Sequence, residues 1–195
     1  MIIKVDSIEK YSNTQFEEMY NLMSAERQEK CGRYVRENDR KLCILADYLT
    51  RQAVSEFLDI PAESVVILRD TRGKPYIENG GCFINYSHSG RFAAAVVSDK
   101  PCGIDIEEKG RKNISAAKRI ATEKELGFIG DSPERFLTIW TLKEAHVKCT
   151  GEGIRNNLTE IEFDLSGGKP VSDIPGFEYE TENTDDYVLA VCIKK

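Results

Sequence analysis

The spacing of apolar residues divides the first half of the chain into strands and helices. Alternation predicts a strand at 2–8, and helical spacing predicts a short helix at 14–23, capped by Thr14, and a long helix at 37–58. A charged stretch, 24–30, separates the two helices. Apolar segments between glycines predict four further strands: 65–68, 75–77, 83–86 and 92–97. This pattern is typical of an α+β unit.

The second half repeats this order of elements. It predicts a strand at 102–107, a helical region at 114–127, a long helix at 133–149 and strands at 160–165, 177–181 and 187–193. Gly73-Lys74-Pro75 recurs as Gly168-Lys169-Pro170, and Ala95-Val96 recurs as Ala190-Val191, both 95 residues later. We therefore predict a duplicated α+β fold of two similar lobes, 1–99 and 100–195, each with a long helix packed on a small, mostly antiparallel sheet.

The helix predicted at 133–149 carries an acid on its apolar side. At about 100° per residue, Glu144 falls between Leu137 and Val147 on this stripe. Glu144 either forms a solvated ion pair with Lys148, worth ~0.2–0.5 kcal/mol, or is buried and needs a cation, a donor cluster or a metal. At the 95-residue offset Glu144 corresponds to Leu49. This is expected if a position that is apolar in the first half carries a functional residue in the second.

Two further acids share one face of the strand predicted at 102–107. Asp105 and Glu107 are two residues apart and point the same way, while Ile104 and Ile106 point to the other face. The pair either lies on a solvated strand face or is bridged by a hard divalent cation such as magnesium. With Glu144 the pair would form an all-oxygen site that could also take substrate phosphates.

Polar residues follow the strand predicted at 83–86. The segment Asn85-Tyr-Ser-His-Ser-Gly90 reads as a polar turn in which Ser87 and His88 could donate to a phosphate oxygen. Lys74 lies in a second turn, Gly-Lys-Pro. Taken alone, His88 is more typical of a loop histidine without a role, and Lys74 is more typical of a solvated turn lysine.

Charge and composition exclude several classes of protein. The net charge is −6 and the pI is near 5.2, which argues against binding to nucleic acid or to an acidic membrane. No apolar run reaches the ~20 residues of a membrane span, and the first residues lack the features of a signal peptide, so we expect a cytoplasmic protein. The six cysteines show no metal-binding spacing and are expected to be reduced.

Taken together, these motifs resemble a known family. Gly103-Ile-Asp-Ile-Glu107, then Trp140-Thr-Leu-Lys-Glu-Ala-His-Val-Lys148, preceded by Asn85–Gly90 and Gly73–Pro75, resemble the 4'-phosphopantetheinyl transferases of the larger, surfactin-synthetase-activating type. The smaller holo-acyl-carrier-protein synthase type fits less well, because it is about one lobe long. The resemblance implies two lobes related by a pseudo-two-fold axis, with the site in their cleft. It also implies magnesium-dependent transfer of the phosphopantetheine arm of coenzyme A to a serine of an apo carrier protein.

The resemblance also implies roles for individual residues. Asp105, Glu107 and Glu144 would bind magnesium, and Lys148 would contact the coenzyme A pyrophosphate. Basic and polar residues of the first lobe would hold the other phosphates: Arg27 and Lys30 at the 3'-phosphate, with Lys74, Ser87 and His88. Glu125 matches a glutamate proposed as the base, although Glu123 lies close by. The group that takes the serine proton stays open between Glu125, Glu144 and a metal-bound water.

Apart from coenzyme A, the implied partner is an apo acyl or peptidyl carrier protein, which is usually acidic. The basic run Lys109 to Arg119 includes Arg111, Lys112 and Lys118 and is either part of a docking surface or simply solvated. We expect a monomer. The sequence leaves two other functions open. One is a non-catalytic regulator that binds coenzyme A or a nucleotide, and the other is a metal-dependent phosphodiesterase that hydrolyses coenzyme A with water.

Overall fold

A computed structural model describes residues 1–110, 114–151 and 158–195, and the chain forms two compact units, Met1–Asp99 and Lys100–Lys195. The elements of the first unit are β1 Ile2–Ser7, α1 Asn13–Asn21, α2 Ala25–Gly32, α3 Glu37–Leu58, β2 Ile67–Arg69, β3 Pro75–Ile77, β4 Phe83–Ser89 and β5 Phe92–Ser98. The elements of the second unit are β6 Cys102–Glu108, α4 Ala117–Ile120, α5 Glu123–Ile129, α6 Pro133–Thr150, β7 Phe163–Asp164, β8 Val171–Ser172, β9 Phe177–Asn183 and β10 Tyr187–Lys194.

In the first unit, β5 is the central strand of a three-stranded antiparallel sheet and pairs with β1 and β4. β5 is buried along its whole length, because the long helix α3 packs against it. Leu45 and Ala46 of α3 and Ala95 of β5 have no exposed surface. Strands β2 and β3 form a separate hairpin.

The second unit has the same design. Strand β10 is central and pairs antiparallel with β6 and β9, while β7 and β8 form the separate hairpin. Helix α6 packs along β6 and β10, and Phe136, Leu142, Ala145 and Ala190 are fully buried in this core. The prediction of an α+β fold with two similar lobes is therefore confirmed.

The pairing register shows which positions correspond in β1 and β6, the first strand of each unit. Ala95 of β5 pairs with Lys4, and its counterpart Ala190 pairs with Asp105. By the same register Asp6 corresponds to Glu107, because these residues pair with Ala93 and Val188, which are 95 residues apart. Ile2 corresponds to Gly103 in the same way. The candidate acids thus occupy strand positions that also exist in the first unit.

The first unit differs from the predictions near its amino terminus and in β4. Helix α1 is capped by Ser12, which forms a capping box with Gln15, and not by Thr14. The charged stretch contains a helix, α2, whose only buried residue is Cys31, so apolar spacing did not reveal it. Strand β4 extends to Ser89, so the polar segment before Gly90 is mostly strand and not a turn.

In the second unit, the helical region at 114–127 consists of short pieces, with a 3-10 turn at Ile114–Ala116 before α4 and α5. The strand predicted at 160–165 is reduced to the two residues of β7, which follow another 3-10 turn at Leu158–Glu160. Within 1–110, 114–151 and 158–195, no helix is long and apolar enough to cross a membrane.

Candidate active site

Asp105 and Glu107 are nearly buried on one face of β6. Their exposed fractions are 4% and 8%, and Ile104 and Ile106 on the opposite face have none. The alternation predicted two faces, and the structure has them. The alternative of a solvated strand face is wrong, because two carboxylates so far removed from water need hydrogen bonds or positive charge nearby.

Gly103 brings β6 unusually close to α6. A Cβ atom on Gly103 would lie 2.1 Å from the backbone oxygen of Ala145 and 2.4 Å from the backbone nitrogen of Cys149. The two backbones therefore approach each other where no larger residue fits. This contact sets the distance between Asp105, two residues further along β6, and the side chains of α6.

Helix α6 positions Glu144 on its buried side. The helix begins after Ser132, whose side chain accepts a hydrogen bond from the Arg135 backbone, and ends at Gly151 in a left-handed conformation. Glu144 has an exposed fraction of 8%. The predicted inward orientation of Glu144 agrees with this burial, and the alternative of a solvated Glu144 is wrong.

The ammonium group of Lys148 contacts β6. Its Nζ donates to Asp105 Oδ1 at 2.6 Å and to the backbone oxygen of Ile104 at 3.2 Å. Asp105 and Lys148 therefore form an ion pair in which the carboxylate is almost fully buried and the lysine is about one quarter exposed. On the same helix, Trp140 Nε1 donates to Glu107 Oε1 at 3.1 Å.

The three acids line one pocket of the second unit. The other residues of its wall are Ala116, Arg119, Ile120, Trp140 and Leu158. The pocket thus combines carboxylates, one guanidinium and an apolar wall. Among the residues that the structure describes, no three His, Cys, Asp or Glu side chains are grouped so that they could hold a metal. The acids share a pocket, but their present arrangement is not a formed metal site.

Glu125 is buried away from this pocket. Its Oε2 accepts from the backbone of Thr122 at 2.8 Å and pairs with Lys143 Nζ at 2.6 Å, and its Oε1 accepts from the backbone of Phe163 at 2.9 Å. The side chains of Glu125 and Lys143 have no exposed surface. The role of Glu125 as a base is therefore corrected: both oxygens are engaged, and a substrate hydroxyl has no access to them. Glu123 is exposed on the same helix.

Lys143 has a structural role that the sequence did not predict. Besides Glu125, its Nζ donates to the backbone oxygens of Ile120, Leu158 and Ile161 at 2.7–2.8 Å. Burial lowers the pKa of Lys143, and the Glu125 carboxylate opposes this effect. One signal was available, because Lys143 follows the fully buried Phe136 by seven residues and so lies on the same helix face.

The first unit contains a group of basic side chains around Tyr86. The guanidinium carbons of Arg27 and Arg69 lie 5.4 and 5.6 Å from the centre of the Tyr86 ring, and Arg69 also donates to the Tyr86 hydroxyl. Burial and the charges of Arg69 and Arg27 lower the pKa of Lys30. Arg69 was not predicted, because the local sequence at the end of the short strand β2 gives no indication of its tertiary neighbours.

The other residues predicted to hold phosphates lie in or near the hairpin and in β4. Arg69 donates to the Gly73 oxygen at 2.5 Å, next to Lys74, which is partly exposed. Ser87 is buried and His88 is exposed, since neighbours on a strand point to opposite faces. The side chains of Ser87 and His88 therefore lie on different faces of β4.

Three of the five basic residues in the run Lys109 to Arg119 can be located. Lys109 pairs with Glu134 at 2.9 Å. Lys118 and Arg119 are exposed on α4, and Arg119 also lines the acidic pocket. Arg111 and Lys112 lie outside the described residues.

Comparison with known proteins covers nearly the whole chain. Residues 10–100 match the family described as 4'-phosphopantetheinyl transferase, N-terminal, and residues 101–192 match the 4'-phosphopantetheinyl transferase superfamily. The 4'-phosphopantetheinyl transferase psf-1 of Bacillus pumilus is 30% identical over 96% of this chain and 85% of its own length. The transferase Sfp of Bacillus subtilis (strain 168) is 27% identical over 93% of this chain and 86% of its own length.

A solved structure is also similar to part of the chain. The holo-[acyl-carrier-protein] synthase of Helicobacter pylori, in complex with coenzyme A, matches 48% of this chain and 99% of its own chain, with 18% identity and a TM-score of 0.41. The two family matches and the full-length relatives settle the classification: this chain belongs to the 4'-phosphopantetheinyl transferase superfamily, and within it to the larger type represented by Sfp.

Proposed function

We propose that this protein transfers the 4'-phosphopantetheine group of coenzyme A to a serine hydroxyl of an apo carrier protein and releases 3',5'-adenosine bisphosphate. The observation that carries this proposal is the pocket in which Asp105, Glu107 and Glu144 lie together in a member of this superfamily. Three nearly buried acids are costly for a fold, so their presence in one pocket favours a charged ligand.

We infer that magnesium is this ligand. The donor set consists of carboxylate oxygens, which suit a hard divalent cation that retains waters and takes substrate phosphates. The residues fit the ion by chemistry, although they need rearrangement to form a complete site. Asp105, Glu107 and Glu144 would hold it, and when bound it would offset negative charge on the pyrophosphate oxygens.

The reaction is a displacement at phosphorus. The serine oxygen forms a new bond to the phosphorus that bears the pantetheine arm, while the bond from this phosphorus to the oxygen of the adenosine bisphosphate breaks. Lys148 would stabilise the charge that gathers on the leaving phosphate. Of the two glutamates predicted for this role, Glu144 and not Glu125 would take the serine proton, since Glu125 is fully engaged elsewhere; a water at the metal site is the remaining alternative.

Residues of the first unit would hold the remaining phosphates of coenzyme A. Arg27 and Lys30 carry the positive charge expected at the 3'-phosphate, and the nearby Arg69 adds to it. Burial and this crowding of like charges lower the pKa of Lys30, and a bound phosphate would offset the crowding. Lys74, Ser87 and His88 keep their proposed phosphate contacts as predictions.

The carrier protein would dock on basic residues of the second unit: Arg111, Lys112, Lys118 and Arg119. Lys118 and Arg119 support this proposal because both are exposed, and Arg119 reaches the acidic pocket as well. A monomeric state and a cytoplasmic location stay predictions.

A transfer assay tests the function. The protein is mixed with apo carrier, coenzyme A and magnesium, and the carrier is weighed by mass spectrometry. We expect a gain of one phosphopantetheine, and a loss of ~10²–10³ in rate for Asp105→Ala and Glu144→Gln, the usual effect of removing one charge-stabilising group. Glu123→Gln, at an exposed glutamate, is the control and should transfer at the wild-type rate.

Two results would contradict the proposal. A carrier that gains no mass while coenzyme A still binds would identify a non-catalytic binding protein. Release of 3',5'-adenosine bisphosphate at full rate without any carrier would identify a phosphodiesterase. Transfer within about tenfold of wild type in both acid variants would reject the site while keeping the activity.

A further inference from the structure

Asp105 already has a cationic partner in the structure. Lys148 Nζ lies 2.6 Å from Asp105 Oδ1, with side-chain exposures of 27% and 6%. This is the distance of a strong, charge-assisted hydrogen bond. One of the acids that the proposed function assigns to magnesium is therefore neutralised by a residue of the chain itself.

The fold holds this pair in place from both sides. Lys148 lies in the last turn of α6, and the close contact at Gly103 brings that turn against β6. The backbone oxygen of Ile104 accepts a second hydrogen bond from Nζ at 3.2 Å. The carboxylate of Asp105 and the backbone oxygen of Ile104 thus both hold the ammonium against the strand.

A divalent cation at Asp105 conflicts with this arrangement. Magnesium binds carboxylate oxygens at ~2.0–2.1 Å, so an ion on Asp105 Oδ1 would compete with the ammonium that already contacts this oxygen at 2.6 Å. Like charges at this distance in a partly buried pocket repel strongly. An ammonium and a divalent cation therefore exclude each other at Asp105 Oδ1.

We propose that Lys148 is the resident counter-ion of Asp105, and that a divalent cation binds by displacing the ammonium from Asp105 Oδ1. The displaced ammonium keeps the Ile104 oxygen as an anchor and is then free to contact a substrate phosphate. Lys148 would therefore meet substrate only after a cation has bound. This inference rests on the metal site of the proposed function and adds an order of events to it.

Manganese binding in the absence of coenzyme A tests the displacement. Free Mn²⁺ is measured by electron paramagnetic resonance, and bound Mn²⁺ by quenching of Trp140, the single tryptophan, which contacts Glu107. Lys148→Met removes the competing charge, so we expect Mn²⁺ to bind about tenfold more tightly than to the wild type. Lys148→Arg keeps a competing charge and should stay within about threefold of wild type.

Lys124→Met is the matched control. Lys124 is also paired with acids, Glu162 and Asp164, and the substitution changes the net charge by the same amount. It should leave Mn²⁺ affinity within about twofold of wild type, because exposed charges are screened by salt. Circular dichroism of each variant verifies that the fold is retained.

The failures of the two proposals differ. If the wild type binds Mn²⁺ and Lys148→Met binds it equally or more weakly, the displacement is overturned and the metal site stands. If neither protein binds Mn²⁺ and Asp105→Ala transfers phosphopantetheine normally, the metal site of the proposed function is overturned, and the displacement with it.

Discussion

Gly103 offers the sharpest test of how the candidate site is built. In Gly103→Ala the new Cβ would lie 2.1 Å from the Ala145 oxygen, where real Cβ contacts are essentially never below 3.0 Å. Strand β6 and helix α6 must therefore separate by at least 0.9 Å, the difference between these two distances. Both obstructing groups, the Ala145 oxygen and the Cys149 nitrogen, belong to the backbone and cannot turn aside.

The same separation acts on the Asp105–Lys148 pair. Adding 0.9 Å to a hydrogen bond of 2.6 Å gives 3.5 Å, at which such a bond is essentially lost. Overpacking of a close contact costs about 1–3 kcal/mol. For a protein of this length, each kcal/mol lowers the Tm by about 2–4 °C, so we expect a drop of about 2–12 °C.

Trp140 fluorescence measures this change in the unit that contains the site, because Trp140 is the single tryptophan and lies on α6. The control is Gly127→Ala in α5, where a Cβ meets nothing within 4 Å and alanine favours the helix. We expect Gly103→Ala to melt earlier and to lose transfer activity, with Gly127→Ala at or above wild-type stability. Equal melting temperatures and equal activity in the two variants would refute the close-contact argument.

Three further predictions concern other parts of the site. Glu125→Gln should lower the Tm measured by Trp140 fluorescence, because Lys143 loses its buried counter-charge. The folded enzyme that remains should keep the wild-type dependence of kcat on pH. Loss of one limb of this pH profile would instead identify Glu125 as the base. The lowered pKa of Lys30 means that its charge is lost below the ordinary 10.5, so calorimetry should show coenzyme A affinity falling as pH rises toward 10. Lys30→Arg should flatten this fall, and an equally steep fall in the variant would remove Lys30 from the phosphate site. Lys118→Glu should raise the KM for carrier protein by about tenfold and leave the KM for coenzyme A unchanged, because Lys118 is exposed on α4 and does not line the acidic pocket. Equal changes in both KM values would contradict docking at α4.

Much of the fold follows from apolar spacing alone. The long helices α3 and α6 were predicted to within one residue at each end. Helix α3 has apolar residues at helical spacing and is followed by Pro61, and α6 begins after Ser132 and ends before Gly151. Helix α2 was missed because it buries only Cys31. The strand predicted at 160–165 is only two residues long, because the segment before it forms a 3-10 turn. Spacing identifies elements that bury a continuous face, and these two do not.

The site was predictable where its residues share an element. The common face of Asp105 and Glu107 follows from strand geometry, and the inward face of Glu144 follows from helix geometry. The partners of Lys148 and Glu125 were not predictable, because both pairs are tertiary contacts. Lys148 and Asp105 are 43 residues apart in the sequence, and Glu125 and Lys143 are 18 residues apart. The resemblance supplied positions for these residues but not their hydrogen bonds.

Because the two units share one sheet register, each acid of the second unit can be compared with the residue at the corresponding position of the first unit. In the first unit the same strand order and pairing carry Lys4 and Asp6 where the second unit has Asp105 and Glu107, and Leu49 corresponds to Glu144. The same sheet order and pairing therefore form without the acidic trio. Because this sheet does not require acids at these positions, we expect replacement of the acids to remove activity and to leave the architecture of the second unit intact.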